Sequence, residues 1–363
     1  MKNLIFIVLI APIILLTSCN TLEVEYQIDY SFVHPEVALV DEGNYSQEMQ
    51  EKVEPFLHSL EENNIFETDD GTDIHYQTFM QENDKGTIII VHGFSEFAEK
   101  FDEVTYYFLK EGYSVARMDN RGHGYSDRET SDLSKVTITD FSTYVDDLHQ
   151  FIHKIVRTAR PDSPLFLYGH SMGGGISAMY LENYPKDIKA GILSSPMMKI
   201  ELGFPPEWLG AFFAGSAKLF GAGDNYVIGH TPFDGISLYR EGSAISEARY
   251  QYGFEKRVDN PLFQTWGATY DWLDQAIKAT KTIVKNADKA TMPILLFQAD
   301  MDELVLASGQ LKFADKAPMV DLVFCPGTEH EIYNSSNELL TAYYSTIFKF
   351  LDVAQEKISQ GSL

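Results

Sequence analysis

Residues 164–180 read PLFLYGHSMGGGISAMY, and this stretch decides the fold. An apolar run at 165–168 leads into Gly169-His170-Ser171-Met172-Gly173, and a stretch of small residues with helical character follows. A strand, a sharp turn and a helix are the context in which G-x-S-x-G presents a nucleophilic serine. Ser171 is therefore the predicted nucleophile, and the Met172 N–H at the helix N-terminus is a predicted oxyanion donor. The alternative is an ordinary glycine-rich turn.

Strand and helix signals alternate on both sides of this stretch. A hairpin is predicted over residues 66–76, where Asp70-Gly71 marks the turn. Further strands are predicted at 87–91, 114–118, 191–193, 293–297 and 321–325, and helices at 97–111, 139–160, 307–316 and from Ser335, which forms a capping box with Glu338. Such alternation predicts an α/β protein with a doubly wound, mostly parallel sheet.

The alternation is interrupted at residues 196–290, a segment too long for an ordinary connection. It is rich in aromatic residues, and Trp208 with Phe212 and Leu209 with Phe213 are helical i,i+4 pairs. We interpret it as a helical cap between the two parts of the core, residues 65–195 and 291–363. The aromatic residues either pack the cap onto the core or line an entrance for an acyl chain.

The composition indicates a globular protein with an acidic surface. Of 363 residues, 44 % are hydrophobic, and the formal charge is −25. Such a surface repels phosphate backbones, which argues against nucleic acid as a partner and against electrostatic docking on anionic lipid.

The N-terminus predicts another route to the membrane. Lys2 precedes an apolar run at residues 4–16, which suits a signal peptide over residues 1–18. The run ends in Leu-Thr-Ser-Cys, which resembles a bacterial lipobox and implies that Cys19 is acylated. Asn20 favours the outer membrane over the inner one, with the protein in the cell envelope facing the periplasm or the exterior. An ordinary secretory signal is the alternative.

Residues 19–64 are polar and acidic, and we interpret them as a tether with one short helix near residues 47–60. Cys325 is the other of the two cysteines, and its apolar surroundings predict a buried thiol. An acylated Cys19 leaves it no partner, so no disulfide framework is expected.

A nucleophilic serine requires a base and an acid that orients the base. His230 and His330 are the histidines that follow Ser171, and His330 lies directly after the last predicted strand. We therefore assign His330 as the base. Asp300, Asp302 and Glu303 follow the preceding strand, and their spacing alone does not choose among them.

Carbonyl chemistry also needs a second oxyanion donor. His92-Gly93-Phe94 follows the first buried strand, so the Phe94 N–H is the predicted partner of the Met172 N–H. A glycine turn without a catalytic role is the alternative.

Three segments resemble the α/β-hydrolase group that contains bacterial lysophospholipases and monoacylglycerol lipases, with a serine aminopeptidase S33-like domain. They are VHGFSE at 91–96, DNRGHGYS at 119–126 and GHSMGG at 169–174, and the resemblance extends over residues 65–353. YVIG at 226–229 and TWGATYDW at 265–272 are similar to cap segments of the lysophospholipases. In this family the triad aspartate follows the strand glutamine by four residues, which from Gln298 selects Asp302. Ala299 departs from the family's usual glycine without removing a catalytic group.

The resemblance implies a Ser171–His330–Asp302 serine hydrolase that cleaves lipid esters, lysophospholipids or monoacylglycerols, through an acyl-enzyme. The alternatives are a carboxylesterase or amidase acting on small substrates and a non-catalytic lipoprotein that binds a ligand. No cofactor is expected. His149 and His153 have i,i+4 spacing but lack a convincing third metal ligand, and Asp146-Asp147 is interpreted as a solvated face.

Overall fold

The protein is described from a computed structural model, in which residues 27–35, 37–203, 207–237, 239 and 243–363 are described. The predicted signal peptide and Cys19 lie outside the described residues.

An eight-stranded sheet forms the centre of the molecule. Its strands are β1 (Glu61–Glu67), β2 (Asp73–Phe79), β3 (Thr87–Val91), β4 (Ser114–Met118), β6 (Leu165–His170), β7 (Ala190–Ser194), β9 (Ile294–Ala299) and β10 (Val320–Cys325), while β5 (Lys135–Val136) pairs separately with β8 (Gly267–Ala268). The order across the sheet is β1-β2-β4-β3-β6-β7-β9-β10. The β1–β2 and β2–β4 pairings are antiparallel and the others parallel, so the predicted fold class is confirmed.

The central strands are covered on both faces. Every residue of β3, β4, β6, β7 and β9 is buried, which explains why these strands read as continuous rather than alternating apolar runs. The helices are α1 (Tyr45–Glu48), α2 (Glu54–His58), α3 (Asp102–Lys110), α4 (Ser142–Phe151), α5 (Arg157–Ala159), α6 (Met172–Asn183), α7 (Glu207–Leu219), α8 (Glu247–Asp259), α9 (Tyr270–Asn286), α10 (Ala307–Lys316) and α11 (Asn337–Ser359). A π-helical turn joins α1 to α2, and another joins α4 to α5. Residues of α4, α6 and α9 contribute to one apolar core, and residues of α3 and α11 to the other.

The start of α11 differs from the prediction. The helix is capped by Ser336, whose side chain makes no capping hydrogen bond, so the predicted box of Ser335 and Glu338 is wrong. Ser335 instead ends the short 3-10 turn Ile332–Asn334, where its N–H donates to the Ile332 carbonyl oxygen at 3.2 Å. This turn displaces the helix start by one residue.

Residues 27–35 and 37–60 are folded onto the core, unlike the tether that their acidic composition suggested. The Ile28 N–H donates to the Phe324 carbonyl oxygen at 2.9 Å, at the β10 edge of the sheet. Tyr45, Met49, Val53 and Leu57 are buried against the core that contains α3 and α11. Their spacing of four residues forms one face of a helix, and this apolar stripe holds the segment in place.

The segment between β7 and β9 contains α7, α8, β8 and α9, and it contacts the core at several points. Besides the β5–β8 pairing, Lys256 Nζ of α8 lies 2.6 Å from a carboxylate oxygen of Asp102 in α3. No helix in the described ranges is both long and apolar enough to cross a membrane.

Two buried charge pairs were not expected from the sequence. Arg121 donates to both carboxylate oxygens of Asp147, at 2.9 and 2.8 Å. Asp147 is buried while Asp146 is exposed, so the expected solvated face is wrong for Asp147. Arg249 of α8 similarly pairs with Glu103 of α3, at 3.0 and 2.9 Å.

We predict that Arg249→Met lowers the free energy of unfolding by roughly 3–5 kcal/mol, because it leaves the Glu103 carboxylate buried without its positive partner. The Arg249 side chain is 0 % exposed and also donates to the Ser335 carbonyl oxygen at 3.1 Å. Urea denaturation followed by circular dichroism measures the change. The control is Lys52→Met, whose partner Glu48 lies 3.4 Å away on the same helical segment; the two side chains are 52 % and 31 % exposed, so this pair contributes at most about 1 kcal/mol. Equal losses in the two variants would contradict the prediction.

Candidate active site

Ser171 lies between β6 and α6 in a strained backbone conformation, with φ +52° and ψ −119°. A side-chain-bearing residue there costs of order 1–3 kcal/mol, and such a conformation persists only when its surroundings enforce it. The Ser171 N–H donates to the Ser194 carbonyl oxygen at 3.1 Å, and the Ser171 carbonyl oxygen accepts from the Met197 N–H at 2.8 Å. The β7 strand end therefore holds the turn on which the hydroxyl is presented.

The glycines of G-x-S-x-G are explained by close backbone approach. A Cβ atom on Gly173 would lie 2.1 Å from the Val91 carbonyl oxygen, at the end of β3. A Cβ on Gly169 would lie 2.5 Å from Ser177 Oγ. Neither position has room for a side chain, so α6 packs directly against the strand ends.

His330 and Asp302 form a buried hydrogen-bonded pair at the same edge of the sheet. His330 Nδ1 lies 2.7 Å from Asp302 Oδ2, and the two side chains are 4 % and 6 % exposed. Asp302 Oδ1 accepts from the N–H groups of Leu304 and Val305, both at 2.9 Å. Burial by itself would raise the pKa of Asp302, but the His330 imidazole and these backbone donors hold it below its ordinary value. An ionised Asp302 keeps the proton on Nδ1 and leaves Nε2 as the basic nitrogen.

The alternatives that the sequence left open lie elsewhere. Asp300 accepts from the Gly327 N–H at 3.1 Å, and Glu303 is exposed. His230 lies in the cap, where its Nδ1 accepts from the Ala268 N–H at 3.1 Å. The structure thus brings His330 and Asp302 together, as predicted, and does not bring the other three to them.

The two predicted oxyanion donors are Met172, the residue after Ser171, and Phe94, which lines the same cavity. Met172 is the first residue of α6, where a backbone N–H has no acceptor within its own helix. Phe94 follows β3 and lines the same cavity as Ser171 and His330. Its neighbour Ser95 has a positive φ of 55°, and the Ser95 N–H donates to His123 Nε2 at 3.3 Å. His123 therefore supports the loop that carries Phe94.

A charged network that the sequence analysis missed fixes the base of this loop. Glu96 accepts from the Gly93 N–H at 2.5 Å, from Lys100 Nζ at 2.8 Å and from the Tyr333 hydroxyl at 2.6 Å. Lys100 Nζ also donates to Glu331 at 2.7 Å. Burial alone would raise the pKa of Glu96, but the Lys100 ammonium and its hydrogen bonds hold it well below the ordinary range. The i,i+4 spacing of Glu96 and Lys100 was the available signal, whereas Glu331 is joined to them only by the fold.

The cap covers the site. A cavity of about 300 Å³ is bounded by Ser171 and His330 on the core side, and on the cap side by Tyr250, Phe254, Arg257 and Trp266.

The cap aromatics divide into two groups. Trp272 is buried, and its ring centroid lies 4.4 Å from that of Phe94. Trp208 and Phe212 on α7 are 70 % and 63 % exposed, so these two do not pack the cap onto the core. The predicted acyl-chain entrance stays a prediction.

A third possible metal ligand does accompany His149 and His153. Asp187 Oδ2 lies 2.9 Å from His153 Nε2 and 3.9 Å from His149 Nδ1, and it accepts from the Tyr180 hydroxyl at 2.8 Å. The three residues could hold a metal ion, contrary to our expectation of no suitable third ligand. Ordinary hydrogen bonding accounts for the contacts of Asp187 equally well.

With this geometry established, comparison with known proteins identifies the family. The family model described as serine aminopeptidase, S33, matches residues 82–337. The chain belongs to this hydrolase family.

Relatives and solved structures agree with that assignment. The hydrolase is 28 % identical over 266 residues to a probable lysophospholipase L2 of Haemophilus influenzae, covering 73 % of this chain and 83 % of that protein. It is 26 % identical over 274 residues to a monoacylglycerol lipase of Mycolicibacterium smegmatis, covering 74 % and 90 %. Its fold is similar to a soluble variant of monoglyceride lipase from Saccharomyces cerevisiae, with a TM-score of 0.67 and 20 % identity over 81 % of this chain and 96 % of that one. The resemblance stated from the sequence motifs is confirmed.

We predict that Asp302→Asn lowers kcat of the hydrolase toward a p-nitrophenyl ester by roughly 10⁴-fold, because the amide favours the wrong imidazole tautomer. Asp300→Asn is the matched control, two residues away on the same loop, and should retain most of the activity. Steady-state kinetics of both variants, with melting temperatures to confirm folding, test this. A larger loss in Asp300→Asn would contradict our choice of Asp302.

Proposed function

We propose that this hydrolase cleaves fatty acyl esters of lysophospholipids or monoacylglycerols through a Ser171–His330–Asp302 triad. One observation carries the proposal: the strained Ser171 and His330, whose imidazole is hydrogen-bonded to Asp302, border a single cavity under an aromatic cap. The names of the relatives support the lipid class, because lysophospholipases and monoacylglycerol lipases both act on single-chain acylglycerol esters.

In the proposed mechanism, Ser171 Oγ attacks the ester carbonyl carbon while His330 Nε2 accepts its proton. The tetrahedral oxyanion accepts hydrogen bonds from the Phe94 and Met172 N–H groups, and Asp302 stabilises the imidazolium. Collapse of the intermediate expels the alcohol, which takes the proton from His330. Water, activated by the same imidazole, then hydrolyses the acyl-enzyme and restores Ser171.

The surface of α7 favours a lipid substrate over a small soluble ester. Trp208, Phe212, Leu219 and Phe220, on α7 and directly after it, are 70 %, 63 %, 82 % and 83 % exposed. Large aromatic and aliphatic side chains exposed close together mark an interaction surface. Because α7 belongs to the cap, contact with a lipid phase would bring substrate close to the cavity.

We predict that the domain starting near Asn20 releases long-chain fatty acid from lysophosphatidylethanolamine, lysophosphatidylcholine or monoacylglycerol in preference to short p-nitrophenyl esters. Ser171→Ala should lower turnover by roughly 10⁴-fold or more and serves as the blank. Hydrolysis of short esters alone would keep the triad and favour the carboxylesterase alternative. A folded protein that neither turns over substrate nor labels with a fluorophosphonate would favour the ligand-binding alternative.

We also propose that Cys19 is acylated and that the enzyme is held in the bacterial cell envelope, with the outer membrane favoured by Asn20. A single lipobox cysteine would receive two acyl chains on its glycerol group, enough for stable anchoring.

In a bacterial host, we expect the full chain to incorporate labelled palmitate and to sediment with membranes. Cys19→Ala should abolish incorporation and shift the protein to the soluble fraction, whereas Cys325→Ala, which removes a buried thiol, should not. Undiminished labelling of Cys19→Ala would refute the proposed anchor.

A further inference from the structure

Arg257 is a buried cation beside the predicted catalytic groups that neither the motifs nor the mechanism uses. It lies on α8 of the cap, is 9 % exposed, and lines the cavity that Ser171 and His330 border. Its guanidinium carbon lies 5.1 Å from the ring centroid of Trp266 and 6.0 Å from that of Phe97, within the range of cation–π contacts.

The hydrogen-bonding capacity of Arg257 is largely unused. A guanidinium offers five N–H donors and stays charged in proteins. Within the part of the chain that the structure describes, Nη2 donates to the Ser95 carbonyl oxygen at 2.6 Å, while Nε is buried and has no acceptor. Burial lowers the pKa of Arg257 from its ordinary value, despite the negative charges of Glu331 and Glu96 nearby.

The other charges at the cavity are already paired. Lys100 Nζ lies 2.8 Å from Glu96 and 2.7 Å from Glu331, and Glu331 also accepts from Asn334. Among the described residues, Arg257 forms no such ion pair with either carboxylate. Among the described residues that line the cavity, Lys100 is ion-paired with two carboxylates, whereas most N–H donors of the Arg257 guanidinium are available to an anion.

We propose that Arg257 binds the phosphate of a glycerophospholipid headgroup, so that the enzyme prefers lysophospholipids to monoacylglycerols with the same acyl chain. This inference rests on the proposed lipid-ester hydrolysis. The planar guanidinium of arginine can donate two parallel hydrogen bonds to the oxygens of a phosphate group. Arg257 donates to the carbonyl oxygen of Ser95, the residue directly after the predicted oxyanion donor Phe94, so the guanidinium lies beside the loop at which the ester group of a substrate would bind.

A purely structural role for Arg257 makes a different prediction. If the side chain only positions the Ser95 loop, its loss weakens the oxyanion hole and lowers kcat for every ester alike. If it binds phosphate, its loss raises KM for phosphorylated substrates alone. The ratio of kcat/KM values for two substrates that differ only in phosphate separates these roles.

The substrates are 1-palmitoyl lysophosphatidylglycerol and 1-monopalmitoylglycerol, in matched mixed micelles. We expect Arg257→Gln to lower the ratio of their kcat/KM values by roughly 10- to 100-fold, the value of hydrogen bonds to a charged group. Arg257→Lys keeps the positive charge but not the planar pair of N–H donors, so it should lower this ratio by a smaller factor. Lys256→Gln is the control, because it removes a charge from the same helix, where Lys256 pairs with Asp102 instead.

Three outcomes would overturn the proposal. Equal losses for both substrates in Arg257→Gln assign the residue to loop positioning only. If the ratio of kcat/KM values falls by the same factor in Lys256→Gln as in Arg257→Gln, the effect is due to net charge. If the unsubstituted enzyme hydrolyses neither lipid, the proposed lipid-ester function itself is wrong. This result is distinct from the first two, in which the enzyme hydrolyses both lipids and only the role of Arg257 is wrong.

A second measurement does not depend on the folding of a variant. On the unsubstituted enzyme, sn-glycerol 3-phosphate should inhibit p-nitrophenyl ester hydrolysis competitively, at concentrations where glycerol does not. Inorganic phosphate should inhibit more weakly, because it lacks the glycerol group that would make further contacts in the cavity. Equal inhibition by glycerol, or equally strong inhibition by inorganic phosphate, would overturn the headgroup assignment.

Discussion

The direct packing of α6 against the ends of β3 and β6 is the constraint on which the rest of the structure depends. It leaves no room for a Cβ atom at Gly169 or Gly173 and forces Ser171 into a positive φ. Hydrogen bonds from β7 and the residues after it hold that strained turn. Because the strands are parallel, their carboxyl ends meet at one edge, and the loops after β3, β9 and β10 carry Phe94, Asp302 and His330 to the same place.

Buried charges connect the layers around this edge. Glu96, Lys100 and Glu331 join the loop after β3 to the loop after β10, and Arg249 with Glu103 joins the cap to α3. Pairs of this kind add little net stability relative to apolar residues, but removing one partner is costly. They therefore fix the position of the cap and loops more than they stabilise the chain. Arg257 differs because it lines the cavity and forms no ion pair with any residue that the structure describes.

The acidic surface and the cavity differ in their electrostatic properties. A net charge of −25 disfavours approach to anionic lipid, whereas the exposed apolar residues of α7 provide attraction that does not depend on charge. A guanidinium inside the cavity would then supply, locally, the positive charge that the surface lacks. We thus propose interfacial contact and headgroup binding for different parts of the cap, α7 and α8.

The sequence by itself determined the fold class, the strand, turn and helix around Ser171 and the approximate limits of most buried strands, and it predicted His330 as the base. These follow from local patterns: buried β-branched runs, close-packed glycines and strand-end loops. It narrowed the acid to three carboxylates, and only the family resemblance selected Asp302, which the contact with His330 then matched. It did not predict the packing of residues 37–60 on the core, the burial of Asp147 or the ion pairs of Glu331, although the four-residue spacing of Tyr45, Met49, Val53 and Leu57 was visible. Those features depend on contacts between residues far apart in the chain, where composition indicates solvent exposure and only the tertiary structure supplies the partner that makes burial favourable.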